Sequence, residues 1–586
     1  MKKIILGVFS SIVFLSGLFA TTSFAASGSD TLPSGIRTSD IGNRIEEYYK
    51  EHEETAAGMM VAVFDGDEIF YEGYYGMQNK EEGLPVNSDT VMEWGSISKL
   101  LVWVSAMQLH EQGLIDFDTD IREYLPEGFL RRLQYDDKIT MINLMNHDAG
   151  FQESLMEMQF TDINGVLSLE EYLRVAEPYQ IFRPGEVVAY SNWSTSLAAY
   201  IVELVSGMPY VDYVHANIFE PLGMNLSALA PDLSDNAEVR KRWENLNYYN
   251  ADGSFLSDAK LHITCFPSGM CTSTLTDLTT FCQAFITRDT RLMSADSFEE
   301  FLTPTKYYGD NAYIRNAHGM WALEFGVVTL GHGGNTSGSS SYLLFADNGI
   351  GYVVMTNQPN EQEFNWNMPE LVYGTYEGDE RLANVEMNGV VINSRTVFEG
   401  PLKVIKMAFI LPLSSAKNTA PLSSFFAVQN GDNIDIETQD YIKADMFSLC
   451  AEILVVALYA ITVICSAIML LIGLVRRIIK KPGKNSFHKW NILTAAVNIL
   501  SLVPLCVLIF SVASLTGMYH IGKYRVISGS IILIMIAWVS LLIFKFTHKE
   551  KSDGKASGFI NLMTVIGIIS CIAFSVVEQT FMFWRL

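Results

Sequence analysis

Cysteine is scarce in this chain and forms no framework. Of seven cysteines in 586 residues, Cys450, Cys465, Cys506 and Cys571 fall in or beside apolar runs, which leaves Cys265, Cys271 and Cys282. An odd, sparse set excludes a disulfide scaffold. Two buried thiols are expected at Cys265 and Cys271, with a bridge between them as the alternative. No Cys/His cluster has zinc-ligand spacing, so neither a structural metal nor a cofactor is expected. Cations are short as well: 40 Lys and Arg stand against 65 Asp and Glu, a net charge of −25. The deficit is uneven, because residues 26–445 carry −36 while residues 446–586 carry +9. So acidic a surface repels nucleic acid and anionic lipid headgroups. It suits the solubility of an exported domain, with attraction of cationic substrates as the alternative.

Both ends of the chain are apolar. Lys2-Lys3, the run Ile4 to Ala20 and Ser23-Phe24-Ala25 have the charged, apolar and small-residue parts of a secretory signal peptide over 1–25, with an uncleaved anchor as the alternative. From Met446 onward four apolar spans, near 453–475, 491–515, 526–544 and 557–577, are each long enough for a bilayer. Arg476, Arg477, Lys480, Lys481, Lys484 and Lys489 follow the first span; Lys545, Lys549, Lys551 and Lys555 follow the third. The loop after the second has only Lys523 and Arg525. The positive-inside bias then places the first and third loops in the cytoplasm and the residues before the first span, with the C-terminus, outside. The expected location is the cell membrane, multi-pass, and a membrane partner subunit is left open.

Between these ends the pattern is mixed. Ser39 to Glu54 has helical spacing, and Met59 to Phe64 with Glu68 to Tyr71 flank Asp65-Gly66-Asp67 as a hairpin. Helical and loop segments follow to about Phe285, and strand-like runs return at Phe325 to Leu330, Ser341 to Phe345 and Gly351 to Met355. Strands at both ends of a helical middle predict an α+β domain over 26–375, one antiparallel sheet assembled from both termini with a helical region inserted. Residues 376–445 read as a small β-rich connector, with a second hairpin signal at Asn430-Gly431, and offer no recognisable chemistry. The all-α membrane region is 446–586.

Chemistry concentrates at Met92-Glu93-Trp94-Gly95-Ser96-Ile97-Ser98-Lys99, an extended segment turning into an amphipathic helix (Leu100, Val104, Met107) that stops at Gly113. Ser96 and Lys99, three apart, share a helical face, so a hydroxyl has an amine beside it. The helix N-terminus supplies free N–H groups for an oxyanion. Ser-x-x-Lys alone is unspecific, since the spacing also begins at Ser257, Ser414, Ser486 and Ser552. Tyr190-Ser191-Asn192 puts a phenol and an amide on one tight loop after Arg183-Pro184-Gly185. Gly331-His332-Gly333-Gly334-Asn335 ends one strand-like run and opens another, with glycines that admit a ligand to the backbone.

In that order the three motifs resemble the penicillin-recognising serine hydrolases, nearest to class C β-lactamases and to D-amino-acid esterases and peptidases. Leu144-Met145-Asn146-His147-Asp148-Ala149-Gly150, Pro221-Leu222-Gly223-Met224 and Ser268-Gly269-Met270-Cys271-Thr272-Ser273 also resemble family segments, over about 40–360. The resemblance implies the β-lactamase/transpeptidase-like fold, no cofactor, and a small-molecule or peptide amide or ester as substrate. It implies that Ser96 is acylated, that Lys99 or Tyr190 is the base, and that Asn192 orients substrate. The N–H groups of Ser96 and Asn335 would form the oxyanion hole. Where the β-lactamases carry Lys-Thr-Gly this chain has His332-Gly333-Gly334, and a histidine is only partly charged near neutral pH. Anionic β-lactams are therefore expected to be poor substrates. A penicillin or wall-fragment sensor and a catalytically idle envelope protein are the alternative functions.

Overall fold

The computed structural model describes residues 30–54, 57–154, 158–257, 259–309, 313–386, 389–400, 403, 425–479, 489–513, 521–548 and 555–582. The expected signal peptide, 1–25, lies outside the described residues. Nine strands make one antiparallel sheet: β1 (Gly58–Phe64), β2 (Ile69–Asn79), β3 (Leu84–Pro85), β4 (Lys306–Tyr308), β5 (Tyr313–Ala317), β6 (Met320–Glu324), β7 (Val328–Asn335), β8 (Ser340–Ala346) and β9 (Gly351–Thr356). Their order is β3-β2-β1-β9-β8-β7-β6-β5-β4. Strands from the two ends of the domain meet where Met59 faces Thr356 and Val61 faces Val354, so the sheet closes only when both ends are present.

Alternation decides what each face of β1 touches. Met59, Val61 and Val63 join Ile41 and Ile45 of helix α1 (Ile41–His52) in one apolar cluster, while Met60, Ala62 and Phe64 belong to the larger core on the helical side. Helix α2 (Lys99–Glu111) was expected to be amphipathic, but every residue from Lys99 to Leu109 is buried. It is packed on all sides, by the sheet, by α3 (Asn192–Ser206) and by α4 (Leu275–Thr287), and a helix enclosed all round keeps no polar stripe. Cys265 and Cys271 are two buried thiols, without a bridge.

Beyond the sheet, β10 (Val391–Asn393), β11 (Ala427–Asn430), β12 (Asn433–Ile436) and β13 (Gln439–Lys443) form a separate sheet in the order β10-β13-β12-β11. It docks on the larger domain through the backbone: Ala189 bridges to Gln439, and Tyr190 N–H donates to Thr438 O at 3.2 Å. Arg315, 1% exposed, seals the contact with an ion pair to Asp440 at 2.7 Å and donates to Ile436 O at 2.7 Å.

Four helical segments are long and apolar enough to cross a membrane: Met446–Ile478, Lys489–Phe510, Gly522–Thr547 and Ser557–Val577. They correspond to helix α5 (Met446–Ile478), the pair α6 (Lys489–Leu500) and α7 (Leu502–Ala513), then α8 (Ile521–Thr547) and α9 (Lys555–Val577). The second segment was expected as one span and is interrupted at Ser501. Pro504 explains the break, since it has no N–H to give the Leu500 carbonyl four residues back. The last residues of that expected span lie outside the described residues.

Candidate active site

Ser96 sits in a single 3₁₀ turn, Gly95–Ser98, that leads directly into α2. From residue 91 to 109 it alone is not buried. The turn is locked from within, since Ser98 Oγ donates to Gly95 O at 2.7 Å and accepts from Cys271 N at 3.0 Å. Strand β7 lies against it backbone to backbone. A Cβ on Gly334 would stand 1.9 Å from Trp94 O, and one on Gly95, whose φ is +52°, would stand 2.5 Å from Asn335 N. Both positions therefore require glycine, which is what brings the N–H region of Asn335 beside the serine turn. The His-Gly-Gly motif was expected at the junction of two strands; it lies within one continuous strand, paired residue by residue with β8.

Lys99 is fully buried, with Nζ 2.9 Å from Ser96 Oγ. It donates to Asn192 Oδ1 at 2.8 Å and to Ser268 O at 2.7 Å. Burial pushes its ammonium down to about 7, with the Arg395 charge acting in the same direction. A neutral amine has two N–H groups, and two acceptors are waiting for them. Its lone pair is then left facing the Ser96 hydroxyl.

Tyr190 completes the group. It is buried, its hydroxyl is directed toward Ser96, and Lys99 Nζ lies 4.8 Å from its ring centroid. His147, in the left-handed region at φ +56°, stacks on that ring at 4.2 Å. Its carbonyl accepts from Ala189 N and its Nδ1 from Ser191 N at 3.2 Å, so one residue grips the tyrosine from both sides. Burial raises the tyrosine well above its ordinary value.

The structure thus brings Ser96, Lys99, Tyr190 and Asn192 together, with His332 next to them, its ring 6.2 Å from that of Tyr190. Gly333 lines a neighbouring 90 Å³ cavity with Asn335, and Asn335 Oδ1 accepts from Asn360 N at 3.0 Å. His332 was expected to be partly charged. Burial instead pushes it down to about 3, helped by Lys99, so the ring is neutral at physiological pH. Its Nδ1 is 2.6 Å from the Gly333 carbonyl, a contact that fixes the proton on that nitrogen.

Two residues went unseen in sequence. Glu153, 6% exposed, accepts from Asn192 N at 3.0 Å and Asn192 Nδ2 at 3.1 Å, and so fixes the amide that orients Lys99. Arg395 comes from the connector, and its guanidinium lies 5.0 Å from the centroid of the Tyr190 ring. The connector therefore does carry chemistry, contrary to the expectation from its composition. Neither residue belongs to a short motif, so no local pattern announces it. Among the described residues no group of His, Cys, Asp and Glu could hold a metal ion.

A family profile described as Beta-lactamase matches residues 43–371. PbpX of Bacillus subtilis (strain 168), a penicillin-binding protein by name, is 27% identical over 290 residues, 48% of this chain and 67% of that one. A beta-lactamase from Yersinia enterocolitica is 31% identical over 169 residues, 29% of this chain and 41% of its own length. Among solved structures, the octameric penicillin-binding protein homologue from Pyrococcus abyssi superposes with a TM-score of 0.48 at 20% identity, covering 68% of this chain and 87% of that one.

Proposed function

Because the chain belongs to the beta-lactamase family, with its match over residues 43–371, we propose that it is a membrane-anchored, extracytoplasmic serine hydrolase that cleaves an amide or ester through an acyl-enzyme on Ser96. The observation that carries this reading is the Lys99 amine, buried and 2.9 Å from Ser96 Oγ, on the one residue of its turn that is not fully buried. Lys99, or Tyr190 beside it, takes the serine proton as Ser96 Oγ bonds to the substrate carbonyl carbon. The two bases share one proton network, so their titrations belong to the pair. The same pair returns the proton to the departing amine or alcohol and later draws one from the water that releases the acyl group. Backbone N–H groups of Ser96 and Asn335 receive the oxyanion, and one such donor is typically worth about 100- to 1,000-fold in rate. Asn192, fixed by Glu153 and Lys99, presents its amide to the substrate.

A neutral His332 offers no fixed charge to a substrate carboxylate, which favours D-amino-acid or peptidoglycan-related amides and esters over anionic β-lactams. The test is mass spectrometry of the full-length protein after exposure to a fluorophosphonate and to a panel of D-amino-acid esters, amides and β-lactams. Ser96 is expected to carry the phosphonyl group in the wild type and nothing in Ser96→Ala, with turnover of esters or amides and slow turnover of nitrocefin. No adduct on Ser96 with any probe overturns the hydrolase reading, and rapid nitrocefin turnover overturns the substrate preference.

A further inference from the structure

Arg395 lies outside the family match, on a segment fastened at both of its faces. Toward the catalytic region, Ser394 Oγ donates to Val188 O at 2.7 Å and Glu399 N donates to Gln152 Oε1 at 2.8 Å. The first contact is two residues before Tyr190 and the second is beside Glu153. Toward the apolar helices, Ile392 packs with Leu449 in the first turn of α5. Lys403 Nζ pairs with Glu452 Oε1 of α5 at 3.2 Å, and Glu399 Oε2 accepts from Gln579 Nε2, just past α9, at 3.2 Å. Arg395 is thus carried on a bracket between the tyrosine loop and the first and last membrane helices. A single apolar span would anchor the domain; it would not give this bracket its second wall.

We propose that Arg395 is a positioning residue for Tyr190 and Lys99, set in place by the first and fourth membrane helices, so that the serine site is complete only when the connector is docked on them. The proposal rests on the serine-hydrolase reading for its rate readout. The titratable groups facing the Tyr190 ring and hydroxyl are Lys99, His147, Glu153, His332, Glu437 and Arg395. His147 and His332 are held neutral by burial, so neither supplies a fixed positive charge there. A fixed cation beside a phenol favours the phenolate, and beside an amine it favours the neutral amine. Arg395 therefore lowers the proton affinity of both candidate bases, and its loss moves the rising limb of the pH profile to higher pH whichever of them is the base.

The test uses the full-length protein in lipid nanodiscs and the rate of Ser96 labelling by a neutral alkyl fluorophosphonate, followed from about pH 6 to pH 10. Arg395→Gln is expected to move the rising limb up by about one unit, which is about fivefold slower labelling at pH 7 and about tenfold near pH 6. Arg395→Lys, which keeps the charge, should retain most of the limb. Lys403→Ala combined with Gln579→Ala, distant from the serine, should shift it in the same direction by less. An unmoved limb in Arg395→Gln, or equal losses at every pH in the Gln and Lys variants, overturns the role of Arg395. An unmoved limb in the double variant overturns the dependence on the membrane helices. If wild-type Ser96 takes no label, the hydrolase reading fails separately, and the decision passes to thermal unfolding of Arg395→Gln, Tyr190→Leu and their combination. Non-additive midpoint shifts then support the contact, and additive ones overturn it.

Discussion

Lys99 owes its chemistry to what it lacks. Its ammonium has no carboxylate within ion-pair distance among the described residues, and its hydrogen-bond partners are an amide oxygen, a carbonyl and a hydroxyl. A buried charge without a counter-ion lowers its cost by shedding the proton. With the value at about 7 rather than the ordinary 10.5, the amine is mostly neutral just above physiological pH. Fluorophosphonate labelling of wild-type Ser96 should therefore rise through about pH 7 and level off above it. Lys99→Met should lose that limb and slow labelling by at least about 100-fold. A limb that stays near pH 10 in the wild type would show that the lysine keeps its proton and that another group is the base. The same shift has a stability consequence. Between the folded value and 10.5 the unfolded chain binds the extra proton, so this residue's contribution to stability grows as pH rises across that interval and is smallest below about 7.

At the scale of elements, the approach of β7 to the serine turn is the tightest geometric demand in the site. Gly334→Ala would drive a methyl group into Trp94 O, a backbone atom with nowhere to go, because Ser341 Oγ already donates to that oxygen at 2.7 Å. The strand must then back away from Ser96, and an oxyanion donor displaced by about 1 Å loses its alignment. The expected outcome is labelling of Ser96 slowed by about 100-fold or more, with the protein still folded by circular dichroism; labelling within about twofold of wild type would show that the strand has room. The glycines of this motif were visible in sequence, but the reason for Gly334 was not, since the oxygen that excludes a side chain there belongs to Trp94, far away in the chain. Ser96 and Lys99 were legible because they are three residues apart on one turn. Tyr190 and Asn192 could be tied to them only through the resemblance to a known family, since nothing in spacing says which loop folds onto which helix. Glu153 and Arg395 were not legible at all. A carboxylate three residues past Gly150 and an arginine in a β-rich connector look like solvated surface charges until the fold buries one under Asn192 and lays the other on Tyr190. The burial of α2 escaped for a related reason: hydrophobic spacing reports one apolar face, whereas neighbours on every side come from segments far away in the chain.

At the scale of the whole molecule, the helices that could span a membrane carry their own polarity. At one end of the bundle the connector meets the start of α5 and the end of α9, through Leu449 and through Gln579. At the other end Lys545 of α8 lies 4.8 Å from the centroid of the Trp490 ring, and Arg476 and Arg477 close α5. Cations gathered at the end remote from the catalytic region are what a retained, cytoplasmic face requires, and an amphipathic Trp–Lys pair suits the boundary between hydrocarbon and headgroups. Four apolar segments return the chain to the end of the bundle where α5 began, which is the geometry that lets Gln579 reach Glu399 at all. Single cysteines introduced into a background whose native cysteines are replaced by serine provide the check. Lys523→Cys, in the first turn of α8, should react with a membrane-impermeant maleimide in intact cells, while Lys489→Cys, at the start of α6, should react only after permeabilisation. The reverse pattern would turn the serine site toward the cytoplasm and remove cell-wall fragments from its reach. Reaction of both in intact cells would mean that the segment between them does not cross. In that event the first and last helices would no longer form one wall, and the bracket carrying Arg395 would have to be held by α5 alone.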